Sequence, residues 1–211
     1  MNKYLKRRIG MKASLFLIVI ILTITNPLKG RANGKRLYLK HCAQCHGQEG
    51  EGGKAYALNK EGLLVTADID YFIGSIKYGR PLSGCPPHEK KLSQSDINEL
   101  ARFIKSWQMG KTIHSPGYKV EAKDSERGKE LFPICGACHG LKTEGAMGPP
   151  LFDGGFLKSA SDQVIRTTIM YGRPGTPMKG FTKGYGPFPL SMSDIDAIIS
   201  YMRFKQIKGE N

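Results

Sequence analysis

The chain has 211 residues, with 32 lysines and arginines against 18 aspartates and glutamates and a formal charge of +14. The excess is uneven: the first 32 residues hold seven basic side chains and no acid, which leaves the rest at 25 against 18, or +7. No stretch resembles a nucleic-acid-binding module, so the basic balance points to an acidic protein partner or a membrane surface, where charge steers encounter.

In chain order, residues 1–32 read as a leader. "MNKYLKRRIGMKASLFLIVIILTITNPLKGRA" has a basic opening, an apolar run from Ala13 to Ile24, and Gly30-x-Ala32 as a small-residue cleavage site. The apolar run falls short of the roughly 20 residues that a membrane span needs. The expectation is a signal peptide ending at Ala32 and a periplasmic or otherwise exported protein. An uncleaved anchor is the alternative.

Residues 42–46 read CAQCH and residues 135–139 read CGACH. Both are C-x-x-C-H, the attachment signature for c-type haem. Cys42 and Cys45, and again Cys135 and Cys138, have the spacing that lets two thiols on one helical segment add across the porphyrin vinyl groups. His46 and His139 are then aimed at the iron as proximal ligands. A thioredoxin-like redox pair needs no histidine after it, and a zinc site made from the four cysteines leaves both histidines without a role. The expected cofactors are two covalently bound haem c groups.

The chain also repeats itself. An offset of 93 carries Cys42, Cys45 and His46 onto Cys135, Cys138 and His139, and Tyr78-Gly79-Arg80-Pro81 onto Tyr171-Gly172-Arg173-Pro174. The same offset carries Cys85 onto Met178 without a gap. Past that point the second copy gains five residues, so that Leu92 pairs with Leu190. Two copies of about 80 residues suit small single-core domains, whose core a buried porphyrin would complete.

Each copy is expected to hold three helices. The first begins near Gly34, or near Ser125, and runs into C-x-x-C-H. The middle one covers 68–78 with Phe72 and Ile76 inward, and its twin uses Ile165 and Ile169. The closing helix is the clearest, with Ile97, Leu100, Ala101 and Ile104 at amphipathic spacing, repeated by Ile195, Ile198, Ile199 and Met202. Ser93 with Asp96, and Ser191 with Asp194, are S-x-x-D capping signatures. Residues 110–124 carry turn residues and weak periodicity and read as a linker, with His114 on its surface. The organisation expected is therefore 1–32 leader, 33–109 first domain, 110–124 linker and 125–211 second domain.

C-x-x-C-H followed by glycine, a downstream loop with a sulfur side chain and a closing amphipathic helix together resemble class I c-type cytochromes, and the two-domain dihaem kind in particular. The resemblance covers nearly everything after residue 33. It implies a mainly α fold, in which two tandem class I cytochrome c domains each wrap a few helices around one haem. It also implies Met178 as the sixth ligand of the second haem, and a proline carbonyl in "GPPL", 148–151, holding the proximal histidine ring. The first domain has "AYAL", 55–58, at that place. Tyr78 and Arg80, with Tyr171 and Arg173, are candidates for binding haem propionates, against the reading of Y-G-R-P as a plain turn.

Cys85 stands alone in "YGRPLSGCPPHEKKL". Its alignment with Met178 makes it the expected thiolate ligand of the first haem. His88, a spectator cysteine over a five-coordinate haem, and an intermolecular disulfide are the alternatives. The function expected is electron transfer between exported or membrane-bound redox partners with acidic docking surfaces. The alternative is a sulfur-compound oxidoreductase of the thiosulfate dehydrogenase kind acting at the Cys-ligated haem.

Overall fold

The computed structural model describes residues 27–113, 117–140, 145–183 and 189–209, with side chains from Ala32 onward. The sequence's apolar run at 13–24 and His114 lie outside these residues. Among the described residues there are no strands, and no helix is long and apolar enough to cross a membrane.

The first half is built from α1 (Pro27–His41), α2 (Ala43–His46), α3 (Glu61–Thr66), α4 (Ile69–Tyr78) and α5 (Gln94–Lys105). The second repeats them as α6 (Glu126–Leu131), α7 (Pro133–His139), α8 (Gly154–Ser159), α9 (Asp162–Tyr171) and α10 (Met192–Lys208). The middle and closing helices match the sequence reading. Asp68 caps α4 by accepting from the Tyr71 N–H, and Ser93 and Ser191 form full capping boxes with Asp96 and Asp194. Two features differ. α1 starts at Pro27, before the expected leader ends. α3 and α8 were not expected, because six residues apiece, with three glycines between the two helices, carry too little periodicity to register.

In each half the first helix crosses the last at a glycine. A Cβ on Gly34 would lie 2.5 Å from the Glu99 carbonyl oxygen, and one on Gly128 would lie 2.1 Å from that of Ala197. Hydrogen at these positions lets α1 meet α5, and α6 meet α10, backbone to backbone. Behind the crossings lie Tyr38, Leu64, Leu100 and Ile104 in the first half, and Leu157, Val164, Ile195 and Ile199 in the second, all buried.

The halves meet across an approximate two-fold relation: α4 of the first packs on α8 of the second, and α9 of the second on α3 of the first. The Y-G-R-P turns sit at these contacts. Gly62 in α3 lies against Arg173 and Pro174, and its twin Gly155 in α8 lies against Tyr78 and Gly79. Residues on either side of 114–116 are tied to the domains. The Ile113 N–H donates to the Val65 carbonyl, and the Val120 N–H donates to the Asp162 carboxylate.

Candidate haem sites

In both halves the C-x-x-C-H segment is helical and ends at a left-handed glycine, Gly47 at φ 84° and Gly140 at φ 86°. That turn folds the following loop back under the histidine. The loops are held alike: the Gly52 N–H reaches the His46 carbonyl at 2.8 Å and the Ala55 N–H that of Cys45 at 2.9 Å. In the second half Gly145 reaches His139 at 3.0 Å and Gly148 reaches Cys138 at 2.8 Å.

The loops then present one carbonyl to each histidine. His139 Nδ1 lies 2.7 Å from the Pro149 oxygen, and His46 Nδ1 lies 2.7 Å from the Tyr56 oxygen. Tyr56 and Pro149 are an offset of 93 apart, so "AYAL" supplies the same backbone acceptor that "GPPL" does. The bond fixes the tautomer with its proton on Nδ1 and leaves Nε2 as a lone-pair donor. Burial lowers the His139 pKa, partly offset by the Pro149 bond, and the nearby Arg173 charge lowers it further.

None of the five cysteines is joined to another by a disulfide. Burial pushes Cys42 up to about 12, with charge on Cys85 and Cys45 adding to it, and pushes Cys135 up to about 11. Each pair thus offers two sulfur atoms beside a histidine whose Nε2 is left as the donor. Those are the groups that covalent haem requires, so the residues present fit the cofactor.

The sulfur-bearing loops share one frame. The Arg80 N–H donates to the Cys85 carbonyl at 2.7 Å, and Arg173 donates to Met178 at 2.8 Å. Ser83 donates to Arg80 at 2.9 Å, and its twin Thr176 to Arg173 at 3.0 Å. Three residues further on, His88 donates to Ile76 and Phe181 to Ile169. The five extra residues of the second copy therefore fall between Phe181 and Leu190, after the sulfur-bearing loop has closed.

Cys85 is half-buried, and its thiol is close enough to Cys42 and Cys45 for their charges to interact. Burial raises its pKa, and Arg80 pulls it back. His88 lies against the end of α1, just ahead of the first C-x-x-C-H. Its ring meets the ring of His41 edge-on at 5.7 Å, it is buried, and its Nδ1 has no hydrogen-bond partner. Burial, His41 and Lys91 lower its pKa.

Tyr78 ends α4 with Lys77 and Lys158 over its ring, and Tyr171 ends α9. Arg80 points into the domain boundary, donating to Gly79 at 2.6 Å, Ser75 at 2.5 Å and Ser159 at 3.2 Å. Arg173 keeps its Nε buried and without a hydrogen-bond partner. The two guanidinium charges converge on Tyr71, a residue the sequence reading did not single out. Burial would raise its pKa, and the arginines overcome that, bringing it down to about 8. Its twin is Val164, so the repeat carries no signal for it. Tyr56, in contrast, was reachable from the offset alone.

The fold and these two sites define a class of protein: a c-type cytochrome with tandem class I domains. Comparison with known proteins agrees for each half. Residues 30–104 match the family model described as cytochrome c oxidase, cbb3-type, subunit III, and residues 125–204 match the one described as cytochrome c. Among curated relatives, the chain is 30% identical over 159 residues to the cbb3-type cytochrome c oxidase subunit FixP of Bradyrhizobium diazoefficiens, covering 69% of this chain and 52% of that protein. It is 26% identical to subunit CcoP of Azospirillum brasilense, covering 68% and 53%, and 29% identical to FixP of Azorhizobium caulinodans, covering 82% and 58%. The chain thus spans about half the length of these relatives. Among solved structures, a chain of the Kuenenia stuttgartiensis reducing HAO-like protein complex Kustc0457/Kustc0458 has the same fold. Its TM-score is 0.51 at 21% identity, with 81% of this chain and 94% of that one covered.

The chain belongs to the two-domain dihaem c-type cytochromes and carries two covalently bound haem c groups. It is related to the FixP and CcoP subunits.

Proposed function

We propose that the chain is an exported electron carrier, in which domain 1 is a low-potential site ligated by His46 and Cys85 and domain 2 a higher-potential site ligated by His139 and Met178. When bound, the haems supply reversible one-electron chemistry at iron. The protein's own residues do the rest. Cys42, Cys45, Cys135 and Cys138 anchor the groups through thioethers. Tyr56 and Pro149 carbonyls hold the two histidine rings in place. Met178 would be the sulfur ligand of the second haem, a donor that suits electron transfer. Cys85 as thiolate would place a negative charge at the first site, which would lower its potential below that of the second.

The observation that carries this reading is the shared hydrogen-bond frame of residues 80–85 and 173–178, which makes Cys85 the counterpart of Met178. The loop frame favours Cys85 over its rival His88, whose ring lies against His41, the residue immediately before Cys42. The unpartnered Arg173 Nε supports a propionate contact in domain 2, while Arg80 has its donors engaged at the domain boundary. The basic excess of residues 33–211 supports partners with acidic docking faces. The leader pattern supports export, and the likeness to cbb3-type oxidase subunits supports a place beside an electron-consuming membrane complex.

The test has two parts. The mass of denatured wild-type protein should exceed the chain's by two haems. Low-temperature EPR of oxidised wild type, Cys85→Ser, Cys85→Met and His88→Ala should then show a low-spin thiolate signal that both Cys85 changes abolish and His88→Ala leaves in place. Loss of that signal in His88→Ala alone would move the ligand to His88. Reduction of the oxidised protein by thiosulfate would favour a sulfur-compound oxidoreductase over the carrier.

A further inference from the structure

The loop that orients His46 also touches the loop that orients His139. The Tyr56 carbonyl accepts from His46 Nδ1 at 2.7 Å, and the Tyr56 hydroxyl donates across the domain boundary to the Met147 carbonyl at 3.4 Å. Two residues past Met147, the Pro149 carbonyl accepts from His139 Nδ1 at 2.7 Å. Gly148 between them is pinned by its own N–H to the Cys138 carbonyl at 2.8 Å, and a Cβ there would meet the His139 ring at 2.6 Å. Backbone, one tyrosine side chain and three hydrogen bonds therefore form an unbroken chain from one proximal histidine to the other. It crosses between domains once, at the Tyr56 hydroxyl. That link is long for an O–H···O bond, which makes it the step most sensitive to change.

A merely structural role explains this poorly. Tyr56 is 54% exposed and Met147 is 61% exposed, so neither side chain contributes much buried apolar surface. The domains already meet through α4 on α8 and α9 on α3. The repeat does not require a tyrosine there either, since its twin Pro149 has no hydroxyl.

We propose that Tyr56 electronically couples the two proximal histidines, through its carbonyl on one side and its hydroxyl on the other. This rests on reading both C-x-x-C-H segments as haem sites. In the coupled step one electron leaves the reduced iron of one domain and arrives at the oxidised iron of the other. No proton moves, and an external redox partner supplies and removes the electron. Tyr56 is a positioning residue in this step, acting through His46 and His139.

The test is Tyr56→Phe, which removes the hydroxyl alone and keeps the carbonyl on His46. Haem content is measured first, by mass. The reduction potential of each site and the NMR signals of the two histidine Nδ1 protons come next. Last comes the rate at which an electron injected by a photoexcited ruthenium complex re-equilibrates between domains. The expected result is two haems, unchanged potentials, both Nδ1 signals retained and re-equilibration several-fold slower. A wild-type rate in a protein with two haems overturns the inference and leaves the haem reading intact. A slower rate that tracks a shifted potential or a lost Nδ1 signal also overturns it, because the hydroxyl then acts as local structure. A protein holding fewer than two haems overturns both.

Discussion

The domain boundary depends on two glycines, and alanine at either one measures how closely the halves are docked. Gly155 is the second residue of α8. A Cβ there would lie 2.2 Å from the Gly79 carbonyl oxygen and 3.0 Å from that of Tyr78. A carbon–oxygen contact of this kind settles at about 3.3–3.6 Å, so the boundary must open by about an ångström. The turn opposite cannot easily yield, since Gly79 is at φ 66° and Arg80 is bonded in both directions to Cys85. Overpacking of this sort costs about 1–3 kcal/mol, while alanine returns up to about 1 kcal/mol of helix propensity. The expected net loss is about 1–2 kcal/mol, or about 2–8 °C in Tm for a chain of this size. Gly62→Ala, with its Cβ 2.4 Å from the Pro174 nitrogen, should behave alike. Because both changes strain one boundary, the double variant should lose less than the sum of the two. Thermal melts followed by far-ultraviolet circular dichroism read this directly. A Gly155→Ala Tm at or above wild type, or strictly additive losses, would refute the packing argument.

Met178→Ala should open the second haem and lower its potential, with the first unaffected; an unchanged ligand-field spectrum would pass the role to another residue such as Met192. Tyr71 should titrate near pH 8 by difference absorbance, and Tyr71→Phe should abolish that titration. Its folded pKa lies below the usual value of about 10, so the unfolded chain binds more protons between those values. Its contribution to stability therefore rises from about pH 8 to about pH 10 and is lost as pH falls through 8. Denaturant melts across that window should show the rise in wild type and not in Tyr71→Phe.

Most of the helical frame was legible because its signals are local. Capping pairs at Ser93 and Ser191, and apolar periodicity such as Ile97-Leu100-Ala101-Ile104, lie within a dozen residues. The repeat then carried meaning from the second half to the first. The offset that aligns Cys85 with Met178 also aligns Tyr56 with Pro149, and a backbone carbonyl needs no particular side chain, so "AYAL" hid its role. What stayed illegible was the contact between halves. Nothing near Gly62 in sequence announces Pro174, and Tyr71 gains Arg173 only when the domains meet. The short helices α3 and α8 escaped for a different reason: six residues make less than two turns, too few to establish a period.

The proposed unequal ligation of the two sites is tested most directly by a potentiometric titration of the wild-type protein followed by EPR. Two one-electron transitions should separate, with the low-spin thiolate signal of domain 1 appearing at the lower potential and the His/Met signal of domain 2 at the higher. Two signals that titrate together, or a pair without a thiolate component, would contradict it.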